Sequence, residues 1–345
     1  MSGLLFRGFM IKPRMIPRFL LLFLPCILAI LPACKKAAPP VTAQAKLIML
    51  LSADSMKPYE MAQTQMLMRQ VFNREGYNLK TLNAAGSVDI QTRQLAEALP
   101  QKPYAIIISP VDAAAISDDA ARALKEGILV IGLGQSAASL PCSTSLWVDQ
   151  RQLGRLAGEI AVRALKLKNE DVASSEIVGR IVELRGDEDS LHSNARHEGF
   201  MEEIVKAPGQ ILVHDAAGDW SRQGGIDRTV EAVRLQSRFD ILYAHNDSMA
   251  LGAAIALGAQ RQDVLIIGTD GFLGEEGGLS LVNSGMIDAS IHQPLLMDLA
   301  WQIIQRRAED ATFTPKPKYA VAPLAITPKT VDDIRRNGAA PLPAL

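Results

Sequence analysis

Short apolar segments alternate with longer amphipathic ones along nearly the whole chain, and this order restricts the possible folds more than any other feature. In the first half the predicted strands are Leu47–Leu51, Tyr77–Leu82, Tyr104–Ile108, Ile128–Ile131 and Leu146–Val148, and the predicted helices are Pro58–Arg74, Asp89–Ala98, Ala113–Lys125 and Arg151–Leu165. Most of these strands are apolar at nearly every position, as buried parallel strands are. Tyr77–Leu82 alternates apolar and polar residues instead, which predicts a position nearer the sheet edge.

The same order then begins again. The predicted strands of the second half are Val178–Leu184, Gln210–Val213, Ile241–Ala244, Val264–Ile267 and Ala289–His292, and the predicted helices are Ser193–Val205, Gly225–Leu235 and Asp247–Leu257. Strand and helix alternating twice over predicts an α/β fold of two doubly wound lobes joined in sequence. Ligands of such sheets bind outside the carboxyl ends of the strands, so two lobes with facing strand ends form a cleft that can close on a small molecule.

The N-terminal segment predicts export. Four basic residues precede the apolar run Phe19–Leu31, which is short for a membrane-spanning helix and suits the apolar core of a signal peptide. Leu31-Pro32-Ala33-Cys34 resembles a bacterial lipobox, in which Cys34 becomes the lipidated N-terminus. An ordinary signal peptide or an uncleaved anchor is the alternative. We therefore expect a lipoprotein signal peptide over residues 1–33, a tether over 34–45, and a membrane-anchored lipoprotein of the periplasm or cell envelope.

Charge and cysteine content exclude several classes of partner. Beyond the leader the chain carries 32 Lys and Arg against 37 Asp and Glu, mixed along its length. Without a basic stripe, nucleic-acid binding has no electrostatic support. Cys26 and Cys34 belong to the leader region, so Cys142 stands alone in the predicted folded part. A lone cysteine forms no internal disulfide and gives no metal-site spacing, and we expect neither a metal nor a cofactor.

Three motifs carry a resemblance to a known family. They are Ile107-Ile108-Ser109-Pro110-Val111-Asp112-Ala113-Ala114-Ala115, Asn246-Asp247-Ser248-Met249-Ala250-Leu251-Gly252-Ala253 and Ile266-Ile267-Gly268-Thr269-Asp270-Gly271. In this order and at these intervals they resemble the periplasmic sugar-binding proteins of the ribose-binding family, which have the type I periplasmic binding protein fold. The resemblance runs from about Lys46 to Pro328.

The resemblance implies a two-lobe receptor that captures a small polyhydroxylated ligand and presents it to an ABC-type permease or to a membrane sensor. It also implies a three-segment hinge, here near Val148–Gln150, Ile291–Gln293 and Tyr319–Pro323, and it returns the helix Leu295–Arg307 to the first lobe. The expected lobes are residues 46–148 with 293–319 and residues 149–292 with 320–340.

Strand-end positions and the resemblance together give nine candidate ligand-binding residues: Ser52, Tyr59, Ser109, Gln135, Asn194, Trp220, Asn246, Asp270 and Gln293. Five of them have a structural alternative. Asn246 precedes a helix and suits its N-cap, and Asp270-Gly271 suits a turn. Trp220 matches an aromatic residue that packs on a sugar face, or is a buried anchor between the lobes. Gln293 suits the hinge, and Tyr59 suits the core of the first helix.

The departures from the family pattern concern charge. Gly134-Gln135 replaces an Asp-Arg pair, Asn194 aligns with an arginine, Ser109 replaces an asparagine, and Glu60 replaces the second of two aromatic residues. Because charge-assisted hydrogen bonds are roughly twice as strong as neutral ones, a plain ribose site is not expected. Glu60, Asp187 and His192 either supply replacement polarity or are solvated loop residues.

Other classes of function have less support. Nothing resembles a nucleophile elbow or a phosphate loop, and the five histidines are scattered, so we expect no enzyme. A repressor of the related fold would need an N-terminal helix-turn-helix, where this chain has its leader. The expected function is ligand capture for an ABC-type importer, and ligand sensing for a histidine kinase or chemoreceptor is the alternative.

Overall fold

The computed structural model describes residues 45–72, 74–169, 179–207, 209–236, 238–337 and 342–345. The predicted leader, Cys34, the tether up to residue 44 and the predicted strand start at Val178 lie outside these residues. No helix within them has the length and apolar character needed to cross a membrane.

Strands and helices alternate as the sequence predicts. The strands are β1 (Lys46–Ser52), β2 (Tyr77–Asn83), β3 (Ala105–Ile108), β4 (Leu129–Leu133), β5 (Thr144–Val148), β6 (Gly179–Arg185), β7 (Gln210–Ala217), β8 (Ile241–Ala244), β9 (Leu265–Asp270), β10 (Ala289–His292), β11 (Lys318–Val321) and β12 (Leu324–Ile326). The helices are α1 (Pro58–Phe72), α2 (Val88–Ala98), α3 (Ser117–Lys125), α4 (Gln150–Asn169), α5 (Leu191–Ile204), α6 (Arg222–Leu235), α7 (Asp247–Leu257), α8 (Gly278–Asn283), α9 (Met297–Glu309) and α10 (Val331–Asn337).

Two six-stranded sheets organise the chain. The first has the order β11-β5-β4-β3-β1-β2 and the second the order β12-β10-β9-β8-β6-β7. All pairings are parallel except that of β12, which runs antiparallel to β10. Strand β2 lies at the edge of the first sheet, as its alternating pattern predicts. The order reverses at β1 and β3 in one sheet and at β6 and β8 in the other, so both lobes are doubly wound, as predicted.

The chain passes between the sheets at three places. Strand β5 leads into α4, which packs on α5 beside the second sheet. Strand β10 leads into α9, which packs on α1 beside the first sheet. The third passage lies between Val321, at the end of β11, and Leu324, at the start of β12. Buried apolar residues of α4 and α9 join the two sheets in one hydrophobic cluster.

One predicted helix begins later than expected. The prediction started it at Ala113, whereas α3 begins at Ser117. The Asp112 carboxylate accepts hydrogen bonds from the backbone N–H groups of Ala114 and Ala115, at 2.8 and 3.4 Å. An aspartate that binds the backbone two residues ahead favours a turn over a helix, which accounts for the difference.

Glycines allow the backbones of α4 and α5 to come into direct contact. A Cβ atom added to Gly199 would lie 1.9 Å from the Arg151 carbonyl oxygen, and one added to Gly154 would lie 1.9 Å from the Arg196 carbonyl oxygen. Because these neighbours are backbone atoms, the helices must separate before a methyl group fits.

The substitution Gly199→Ala tests this packing. Alanine stabilises an exposed helix interior relative to glycine, yet here we expect a loss of about 1–3 kcal/mol in the free energy of unfolding, because the added methyl group forces the helices apart. Chemical denaturation followed by circular dichroism measures it. Glu159→Ala, at an exposed position of α4, is the control and should change the stability little. A more stable Gly199→Ala variant would contradict the close approach.

Candidate functional site

A cavity of about 660 Å³ lies between the two sheets, at the carboxyl ends of their strands. Segments that follow β1, β3, β6, β8 and β9 line it, which includes the positions where the strand order reverses. Six of the nine predicted residues are among its lining residues: Tyr59, Ser109, Trp220, Asn246, Asp270 and Gln293. We call this cavity the cleft.

Tyr59 connects the two lobes at the side of the cleft. It belongs to the first turn of α1, and its hydroxyl group donates a hydrogen bond of 2.8 Å to the Pro294 carbonyl oxygen, just after β10. Its ring stacks on Phe272 of the second lobe, with 6.1 Å between the ring centroids. Tyr59 therefore packs in an interlobe contact rather than in the core of α1.

Glu60 forms the polar wall of the first lobe. Its two carboxylate oxygens accept hydrogen bonds of 2.8 Å, one from the Ser52 hydroxyl group and one from the Ser109 hydroxyl group. Burial raises the pKa of Glu60, and the two serine hydrogen bonds oppose that rise. The residue that departs from the family's aromatic pattern therefore faces the cleft in a defined orientation.

Arg196 is the centre of the second-lobe wall and is only 3% exposed. Its guanidinium group donates to the Gln150 side chain at 2.9 Å, to the His245 carbonyl oxygen and to the Gln293 side chain. It also lies 5.1 Å from the centroid of the Trp220 ring. These contacts join the cleft to two of the three passages between the lobes.

Arg196 is a cleft residue that the sequence analysis did not identify. The resemblance aligned the family's arginine with Asn194 and treated its charge as lost, but Asn194 does not line the cleft and instead accepts a hydrogen bond from Arg185. Two residues along an α-helix correspond to a rotation of roughly 200° about the helix axis, so their side chains point to nearly opposite sides. Arg196 therefore faces the cleft while Asn194 faces away, and the positive charge is present.

Ser52 and Gln135 also lie outside the cleft lining. Ser52 is buried behind Glu60 and holds its carboxylate. Gln135 begins a short 3-10 helix after β4, and its neighbour Ser136 lines the cleft instead. A direct ligand contact by Ser52, Gln135 or Asn194 stays a prediction.

Asn246 is the N-cap of α7, which the sequence analysis gave as the structural alternative to ligand binding. Its side-chain oxygen accepts from the Met249 N–H at 2.8 Å at the start of α7, and its side-chain nitrogen donates to the Trp220 carbonyl oxygen at 2.8 Å. Trp220 has a φ of 58° and packs its ring against Gly186, where a Cβ atom would come within 2.0 Å of it. Asn246 thus fixes the backbone of the tryptophan beside the cleft.

Asp270 presents a carboxylate at the cleft floor. It is 4% exposed and has a φ of 110°, in a region that non-glycine residues rarely adopt. The neighbouring Asp247 carboxylate holds this turn, accepting from the Gly271 N–H at 2.7 Å and from the Ser290 hydroxyl group at 2.6 Å. Burial raises the pKa of Asp270 well above its usual value, against the effect of Arg196 3.9 Å away. Within the described residues no hydrogen-bond donor reaches the Asp270 carboxylate.

Two further charged groups lie at the cleft mouth. The Lys57 ammonium group of the first lobe and the Asp187 carboxylate of the second form an ion pair of 2.9 Å. His192 also lines the cleft, and burial, followed by the charge of Arg196, lowers its pKa to about 4. His192 is therefore a neutral imidazole at pH 7. Of these residues, the sequence indicated Asp187 and His192 and missed Lys57.

A buried carboxylate supports the second-lobe wall from behind. The Glu183 oxygens are hydrogen bonded to His245 at 2.9 Å and to His197 at 2.7 Å. Burial raises the pKa of Glu183, but the two histidines outweigh burial and lower it to about 2. Asp215 offers a third ligand atom within 4.8 Å of Glu183 and His197, yet Arg185 pairs with Asp215 at 3.4 Å, so these groups have partners without a metal ion.

Comparison with known proteins places the chain in one family. A model of the periplasmic binding protein domain matches residues 52–302. The ribose import binding protein of Bacillus subtilis is 27% identical over 256 residues, which cover 73% of this chain and 78% of that protein. The D-apiose import binding protein of Actinobacillus succinogenes is 32% identical over 134 residues, 39% of this chain and 41% of that protein.

Solved structures show the same fold. The Caulobacter myo-inositol binding protein bound to myo-inositol gives a TM-score of 0.70 at 20% identity, covering 85% of this chain and 96% of that chain. A fructose-binding periplasmic domain of a hybrid two-component system gives 0.70 at 23% identity, covering 84% and 93%.

The variant Glu183→Gln tests whether the charge of Glu183 stabilises the fold behind the cleft. The folded-state pKa of Glu183 lies near 2, below its ordinary 4.5, so ionised Glu183 stabilises the fold above about pH 4.5 and less as the pH falls towards 2. We expect the variant to lose about 1–3 kcal/mol at pH 7 and the difference from wild type to shrink by pH 3.5. Thermal melting at several pH values measures this, with the exposed Glu159→Gln as control. An equal loss at every pH would show that charge is not the cause.

Proposed function

Because the chain belongs to the family of periplasmic binding protein domains, we propose that it captures a small polyhydroxylated ligand, a sugar or a sugar-like molecule, for an ABC-type importer. The family is one of binding proteins, and it works in the periplasm. The cleft supports this function through its size and through polar side chains from both lobes, as expected for small-molecule sites.

The Asp270 carboxylate carries the proposal. It is buried at the cleft floor, and no donor within the described residues satisfies it. A buried carboxylate without donors is costly, and ligand hydroxyl groups supply the hydrogen bonds that it lacks. The Trp220 ring and the Gln293 amide line the same cavity and offer an apolar face and further polar atoms.

The relatives support sugar import. The Bacillus and Haemophilus influenzae proteins are ribose import binding proteins, and the Actinobacillus protein is a D-apiose import binding protein. Sensing is the second candidate, because one structural neighbour is a fructose-binding domain of a hybrid two-component system. The partner is then a membrane sensor rather than a permease.

Alanine at Asp270 tests the site. We expect Asp270→Ala to weaken ligand binding by about 1–3 kcal/mol, or roughly ten- to a hundredfold, because it leaves ligand hydroxyl groups unpaired in the closed cleft. Asn246→Ala should weaken binding as well, with a lower melting temperature because the α7 cap is lost. Calorimetric titration of a panel of pentoses, hexoses and polyols gives the affinities.

Asp263→Ala is the matched control. Asp263 is exposed and lies just before β9, at the end of that strand opposite Asp270. The Asp263→Ala variant should bind the ligand as tightly as wild type does. If Asp270→Ala also binds as wild type with an unchanged melting temperature, Asp270 is only a turn residue and the ligand site lies elsewhere.

Lipidation of Cys34 is the second part of the proposal. We expect labelled palmitate to be incorporated into the wild-type chain in a bacterial host and not into Cys34→Ser, because Cys34 is the residue of the lipobox that becomes lipidated. Multiple acyl chains hold a protein firmly at a membrane, whereas one chain gives marginal anchoring. Cys142→Ser is the control and should keep its label. Equal labelling of wild type and Cys34→Ser would leave an ordinary signal peptide or an uncleaved anchor as the explanation.

A further inference from the structure

The charges that line the cleft do not balance. Five carboxyl side chains line it, together with two side chains that are cationic at neutral pH: Asp54, Glu60, Asp187, Asp189 and Asp270 against Lys57 and Arg196. His192, whose pKa is lowered to about 4, adds no positive charge at pH 7. Carboxyl groups therefore outnumber cationic groups in the cleft lining.

Both cations already have partners. Lys57 pairs with Asp187 at 2.9 Å, across the mouth. Arg196 lies 3.9 Å from Asp270 and donates its hydrogen bonds to Gln150, His245 and Gln293. The acidic group at the cleft floor therefore has a positive neighbour, and so does one of those at the mouth.

Glu60 has none. Within the described residues its carboxylate contacts only the neutral hydroxyl groups of Ser52 and Ser109, each at 2.8 Å. Asp54 adds a second negative charge nearby. Each Glu60 oxygen accepts one serine hydrogen bond and keeps a further lone pair, so the group is oriented but not neutralised.

We propose that the ligand carries a protonated amino group that binds Glu60, which makes it an amino sugar or an amino polyol rather than a neutral sugar. This inference rests on the proposed function of the cleft. A partly buried carboxylate without a counter-charge is costly, and a ligand ammonium group offsets that cost with a charge-assisted hydrogen bond. Hydroxyl donors would satisfy the lone pairs and leave the charge uncompensated.

Matched pairs of probes test the ligand class. Calorimetry of the full chain compares D-glucosamine with D-glucose, D-galactosamine with D-galactose, and 1-amino-1-deoxy-D-sorbitol with D-sorbitol. We expect at least one amino compound to bind about ten- to a hundredfold more tightly than its neutral partner. In Glu60→Gln that preference should fall to threefold or less, while the melting temperature stays close to wild type.

The outcomes separate this proposal from the proposed function. Glu188→Gln, at an exposed position outside the cleft lining, is the control and should keep the preference. Neutral compounds that bind as tightly as their amino partners, or more tightly, overturn the amino-ligand proposal and leave sugar capture intact. A preference that survives in Glu60→Gln overturns the role of Glu60. Failure of both sets to bind at millimolar concentration counts against both proposals.

Discussion

The guanidinium group of Arg196 holds the second-lobe wall and the hinge together. It binds Gln150 at the first passage between the lobes, Gln293 at the second, and the His245 carbonyl oxygen directly before Asn246. The planar guanidinium group, with five donors, holds its three acceptors in fixed directions, whereas a lysine ammonium group has three rotatable donors. The cleft floor and two passages between the lobes therefore share one buried side chain, so a ligand that contacts Asp270 lies beside a group that is bound to both passages.

The sequence predicted the fold well because its patterns are local. Buried parallel strands such as β3 and β8 are continuous apolar runs, and β2 shows its edge position in its alternation. Bounds depend on side-chain hydrogen bonds, and so the prediction missed the Asp112 turn ahead of α3. Doubly wound topology then places the strand ends at one edge, which is why most of the predicted site residues line the cleft.

Side-chain direction was harder to predict than position. Asn194 and Arg196 lie two residues apart on one helix, and only their side-chain contacts, with Arg185 and with Gln150, show which of them lines the cleft. The sequence analysis missed Lys57 because its ion-pair partner, Asp187, is distant in the sequence. The sequence analysis identified Glu60 as a departure, but its orientation depends on two serines, one at the end of β1 and one directly after β3. Such contacts between distant segments leave no periodic trace in a sequence.

The last two strands have a consequence for how the molecule acquires its structure. Strand β11 completes the first sheet beside β5, and β12 completes the second beside β10. Each sheet therefore lacks one strand until the chain has been synthesised past residue 318, and loop closure over so many residues slows folding. Until β11 and β12 are in place, β5 and β10 each have an unpaired edge, so neither sheet is complete while the preceding strands are being made. For a chain whose leader predicts export, strand pairing that depends on residues 318–326 favours translocation of the chain before its two sheets are complete.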